Sequence, residues 1–88
     1  MSDYRVIDCD LHDLYEIAIL RRRELLLSWL DEDGVGRLER VRPTDLRTVA
    51  GAEFLLASDS YGRPLRIRLD RIRRARDLAT GEDFAVAP

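Results

Sequence analysis

Lysine is absent from this chain of 88 residues, and cysteine and histidine occur once each, as Cys9 and His12. Each scarcity excludes something. A lone cysteine has no intrachain disulfide partner, which fits a reducing compartment. One thiol and one imidazole leave few groups for nucleophilic or acid–base chemistry, and neither a phosphate-binding glycine loop nor a serine-nucleophile motif occurs. No apolar run approaches the roughly 20 residues that span a bilayer, and the start lacks the basic-then-apolar order of a signal peptide. The expectation is a cytoplasmic protein without catalytic activity, metal or cofactor. All 15 basic residues are arginine. So uniform a preference reads as genomic base composition and cannot single out a binding site, even though arginine favours bidentate pairing with carboxylates and phosphates.

What is present fits one domain, residues 1–88, with one modest core. That core is mostly aliphatic, with Phe54, Phe84 and Trp29 as its larger pieces. Leu11, Leu14, Tyr15 and Ala18 recur at helical spacing, with Asp10 as N-cap and Asp13 and Glu16 in the first turns, where the helix dipole favours negative charge. The helix should end near Arg21-Arg22-Arg23. Glu24 to Leu30 reads as a strand covered on both faces or, since periodicity alone does not separate the two, a buried helix. Asp31-Glu32-Asp33-Gly34 reads as a turn, and Val35 to Val41 as the returning strand of a hairpin. Pro43 and the polar stretch to Gly51 read as a connection.

Glu53 to Ser58 is a third strand, followed by the turn Asp59-Ser60-Tyr61-Gly62. From Pro64 to Asp70, Leu65, Ile67 and Leu69 alternate with charged residues, as in a half-buried strand. Ile72 breaks that phase, which places a bend or bulge at Asp70-Arg71. Ile72, Ala75 and Leu78 fit either a fifth strand or a helical turn. From about residue 80 the tail reads as frayed. A short helix ahead of about five short strands predicts a mainly β fold, a small bent barrel. SH3-like, OB-like and Sm-like barrels all satisfy the outline, and the leading helix favours the Sm-like one.

Charge is unevenly placed. Residues 1–20 carry Asp3, Asp8, Asp10, Asp13 and Glu16 against Arg5 alone. Residues 61–78 carry seven arginines against Asp70 and Asp77. Cys9 and His12, completed by Asp8, Asp10 or Asp13, offer metal-ligand types. A site of three or four ligands is not spelled out, and a thiol leading into a helix explains the pair. The arginines form a candidate phosphate stripe, but Tyr61 is the only aromatic among them for base stacking, and neighbouring acids can pair with them. Trp29 is expected in the core, whereas Tyr61 at a turn tip suits contact. Asp8, Asp10, Asp13 and Glu16, packed into nine residues without an intervening base, form a patch that repels nucleic acid and attracts a basic partner, although a solvated helix start explains Asp10 and Asp13 equally well.

Tyr4, Ile7, Cys9-Asp10, Asp13-Leu14, Glu16 and Ala18 resemble the N-terminal pattern of the Rho-binding antiterminators, the Rof (YaeO) family. The similarity continues through Asp33-Gly34, Asp45-Leu46, Gly51, Glu53-Phe54-Leu55, Gly62, Ile67-Arg68-Leu69-Asp70 and Ile72. It implies an Sm-like fold and a monomeric inhibitor that binds the N-terminal RNA-binding domain of the bacterial termination factor Rho. Such an inhibitor competes with RNA for the primary site. By position, Asp10, Asp13 and Glu16 are the implied contacts, with Asp59 and Tyr61 of the turn as a second group. The added arginines at 21–23 and 71–76 keep a second function in view, a small Sm-like RNA-binding protein using its arginine-rich strand.

Overall fold

A computed structural model describes residues 3–84 of the chain. It contains helix α1 (Cys9–Leu20) and strands β1 (Leu25–Leu30), β2 (Gly36–Val49), β3 (Ala52–Asp59), β4 (Pro64–Arg68) and β5 (Ile72–Asp77). The strands form one antiparallel sheet in the order β4-β3-β2-β1-β5. The cap of α1 is Asp8, two residues before the expected Asp10. The Asp8 carboxylate accepts the Asp10 N–H at 2.9 Å, and Asp10 itself lies in the first turn. At the other end Arg22 takes a left-handed conformation with φ 52°. Arg22 N–H then donates to Ile19 C=O and Arg23 N–H to Ala18 C=O, which closes the helix without a glycine.

Leu11, Tyr15 and Ala18 are buried as their spacing predicts, and Leu14 packs against them. They meet the inward row of β1, Leu25, Leu27 and Trp29, so Trp29 belongs to the core. The outward row, Leu26, Ser28 and Leu30, is only half-buried. β1 is therefore fully covered on one face, not two. Phe54 departs from expectation in the same way. It alternates with buried Leu55, faces away from the core, and lies half-buried under the Arg66 guanidinium, 4.7 Å from its ring centroid.

The largest difference lies at 43–51, where a strand replaces the expected connection. β2 pairs with β1 through Gly36–Val41 and with β3 through Val41–Val49, so Val41 faces Leu25 on one side and Asp59 on the other. Pro43 is tolerated mid-strand because the ladder slips there, leaving Thr44 between paired Pro43 and Asp45. The Thr44 hydroxyl donates to Leu56 C=O at 3.2 Å across that bulge. Ala50 (φ 50°) and Gly51 (φ 79°) then make the two-residue turn into β3, both left-handed as a type I′ hairpin requires.

The phase break after Leu69 is a 3-10 turn, Leu69–Arg71, so β4 stops at Arg68 instead of Asp70. Residues 72–77 are a strand, which settles the open choice there. The sheet stays open, with β4 and β5 as its edges, so the bent barrel expected from strand number does not close. Residues 80–84 do not fray. Asp77 N–H donates to Glu82 C=O at 2.9 Å and Phe84 N–H to Ala75 C=O at 2.8 Å, covering part of the β5 edge. The Phe84 ring meets Tyr15 edge-on at 5.6 Å between centroids. The rest of the tail lies outside the described residues. No helix among the described residues is long and apolar enough to cross a membrane.

Candidate protein-binding face of the N-terminal helix

With Leu11, Tyr15 and Ala18 turned inward, Asp10, Asp13 and Glu16 fall on the opposite, exposed face of α1. The rest of the molecule explains why this patch stands out. Elsewhere many acids are matched to arginines: Asp70 to Arg68 at 2.7 Å, Asp83 to Arg76 at 2.8 Å, and Glu39 to Arg37 at 3.4 Å, while Asp33, Glu53 and Glu82 have no arginine partner among the described residues. α1 contains no arginine. Among the described residues, Asp10 and Asp13 have no ion-pair partner, and Glu16 has only His12, at 2.9 Å. Asp8 is spent on the cap, and Asp3 binds Arg68 at 2.9 Å.

His12 joins this face to the sheet. Its Nδ1 lies 2.9 Å from Glu16 Oε1 and its Nε2 lies 3.0 Å from Glu53 Oε2 on β3. Carboxylates only accept, so both contacts are hydrogen bonds at once when the ring carries two protons. Ligand atoms of His12, Asp13 and Glu16 lie within 4.8 Å of one another, a grouping that does not include Cys9. Cys9 is exposed at the start of the helix. Cys9 and His12 are therefore not brought together as metal ligands among the described residues.

Asp59 and Tyr61 occupy a different place. Glu53 begins the run of β3 that ends at Asp59, about 20 Å further along a strand, so the turn does not join the α1 patch. Asp59 is also committed. Its carboxylate accepts Tyr61 N–H at 2.8 Å, Arg63 N–H at 2.9 Å and Arg63 Nε at 3.0 Å. The backbone bonds of Arg63 are the leading influence on its acidity, and its carboxyl titrates below the ordinary value. Asp31 does the same in the β1–β2 turn, accepting Asp33 and Val35 N–H at 2.9 Å each, and both loops place a glycine at φ 78° three residues on. The repeated geometry identifies Asp59 as a loop-forming residue. Tyr61 is 83% exposed with Arg63 against its ring, and remains a surface group.

The arginine stripe is mostly compensated. Arg63, Arg66, Arg68, Arg71 and Arg76 each contact a carboxylate, while Arg73 and Arg74 have none among the described residues. Arg68 is the centre of a clip that the sequence pattern concealed. It binds Asp70 through Nε (2.9 Å) and Nη2 (2.7 Å), reaches Asp3, and lies over the Tyr4 ring at 5.7 Å. Burial pulls the Asp70 carboxyl upward, but the Arg68 bonds and Arg5 N–H outweigh it and hold it below the ordinary value. Burial, then Glu53 and Asp70, push the Tyr4 phenol up to about 12. A cleft of about 810 Å³ runs alongside, between residues 3–8 and the turn after β4, with mixed charges and an apolar floor of Leu11, Leu30 and Ile72. Its central charges, Arg68 and Asp70, are bonded to each other.

The clip and core give structural roles to many of the motif residues named in the sequence. Ala18, Leu55, Ile67, Leu69 and Ile72 are core, Gly34, Gly51 and Gly62 serve left-handed turns, and Arg68 with Asp70 holds the N-terminal segment. On α1, Cys9, Asp10, Asp13 and Glu16 are left without such a role. No protein-family model, no curated protein and no solved structure matches the chain.

Proposed function

We propose that the protein inhibits Rho-dependent transcription termination by binding the N-terminal RNA-binding domain of Rho through the exposed face of α1 and blocking the primary RNA site. The observation that supports this reading is the carboxylate set Asp10, Asp13 and Glu16, clustered on one exposed helix face without an arginine partner among the described residues. A surface that holds an RNA backbone is basic, and a carboxylate face competes for it by charge. The protein acts in the bacterial cytoplasm as a monomer. Both sheet edges suit that state, since β4 carries Pro64 and two arginines and β5 is partly covered by residues 82–84.

One observation favours RNA binding instead. Phe54 faces outward beneath Arg66 and beside Arg68, so the arginine face does contain an aromatic that the linear sequence hid. Titrating the protein separately with Rho and with single-stranded RNA decides between the two. Rho binding that RNA displaces, lost in D10K/D13K/E16K with an unchanged circular dichroism spectrum, is the expected result. Tight RNA binding without Rho binding would sink the inhibitor reading.

A further inference from the structure

Ile17 and Leu20 stand on the solvent side of α1, 45% and 81% exposed. At 100° per residue they share one arc of about 120° with Asp10, Asp13 and Glu16. Ile17 projects between Asp10 and Asp13, and Leu20 between Asp13 and Glu16. Solvation explains carboxylates on such a face, but not a branched aliphatic pair at its centre. The core-facing side of the helix is already filled by Leu11, Tyr15 and Ala18.

We infer that Ile17 and Leu20 are the apolar anchor of the α1 interface, and that its occupant is a protein surface bearing an apolar pocket rimmed by basic groups. This rests on the docking role proposed for α1 and states how the two surfaces hold together. Charge complementarity selects the occupant. The carboxylates around the pair repel phosphate-rich partners, whether nucleic acid or anionic lipid, and favour a basic protein. Interfaces of this kind place apolar side chains centrally, where they lose water, and charges at the rim, where they guide approach. The carboxylates thus act mainly on the association rate and its salt dependence, and the aliphatic pair acts mainly on dissociation.

The experiment is a titration of full-length Rho with the wild-type chain, L20A, I17A/L20A and D10K/D13K/E16K, at two or more salt concentrations. Because Leu20 is mostly exposed, L20A retains the wild-type melting temperature. Its affinity for Rho falls about fivefold, and that of the double variant at least about tenfold, typical of central apolar anchors. Both keep the wild-type salt slope, whereas the charge-reversed variant flattens or loses it. Wild-type binding that survives within twofold in both apolar variants overturns the anchor and leaves the docking face standing. Absence of wild-type binding overturns the docking face, and the anchor with it.

Discussion

Tyr15 is fully buried, and its hydroxyl has no hydrogen-bond partner among the described residues. An unsatisfied buried hydroxyl costs about 1–3 kcal/mol, because the unfolded chain bonds it to water. Tyr15→Phe removes that cost and keeps the ring, including its edge contact with Phe84. The substitution therefore stabilises the fold by about 1–2 kcal/mol. For a domain of this size that is a rise in melting temperature of roughly 4–12 °C. The sign also depends on pH. Burial raises the Tyr15 phenol above its ordinary value of 10.0. Below pH 10 both states keep the proton, and the term is constant. Above pH 10 the unfolded chain releases a proton that the folded state holds, so wild-type stability falls by up to about 1.4 kcal/mol per pH unit. The Phe variant lacks this loss, and its advantage should widen between pH 10 and 11. Thermal melts of both proteins from pH 7 to 11 test the reasoning. A lower or unchanged melting temperature at pH 7 would refute it, since the hydroxyl would then have a bonded partner such as a buried water.

Arg68→Met keeps bulk beside Tyr4 but leaves Asp70 shielded and unpaired, and should cost about 2–4 kcal/mol in urea titrations. Amide exchange in residues 4–8 should quicken in the same variant, and unchanged exchange would mean the clip does not hold that segment. Asp3, Asp70 and Asp83 all titrate below the ordinary 3.8. Their stabilisation is present above that value and is lost as pH falls through each lowered folded value, so melting temperature should drop steeply below pH 4, and less steeply in Arg68→Met. Ala50→Asn should raise stability by about 0.5–1 kcal/mol, because asparagine tolerates the left-handed conformation that alanine is forced to adopt. Phe84→Ala should cost about 3 kcal/mol by chemical denaturation. A negligible effect there would show that residues 80–84 add nothing to the core.

Strict periodicity was legible. The α1 stripe, the alternation from Pro64 to Leu69 and the Asp-x-x-Gly turns all took their expected places, because each is fixed by residues within a few positions. Pro43 misled, since proline normally ends a strand, and only the slipped pairing with β3 and the Thr44 hydroxyl make room for it. Ala50-Gly51 gave a weak turn signal, lacking the asparagine or aspartate usual at the first position. Phe54 looked like core because its strand reads apolar throughout, and its direction depends on which neighbour row is buried. At the candidate site, the exposure of Asp10, Asp13 and Glu16 followed from helical spacing. Their lack of arginine partners did not, because it depends on which arginines the folded chain brings within reach. Ile17 and Leu20 carried a readable signal: they are apolar residues off the Leu11–Tyr15–Ala18 stripe.

The strand order has a kinetic consequence. β1 through β4 are joined in sequence by tight hairpins, each a contact that forms on the microsecond scale. β5 alone must return across the chain, pairing Asp77 with Leu25 about fifty positions away. Closing that loop costs more entropy than any hairpin, so β5 and Phe84 are expected to dock after the hairpins. Until they arrive, Tyr15 lacks its aromatic neighbour and β1 presents a bare edge. A chain lacking β5 and Phe84 would leave β1 with an unpaired edge and the Tyr15 side of the core unsealed, so a truncation before Ile72 should favour misassociation.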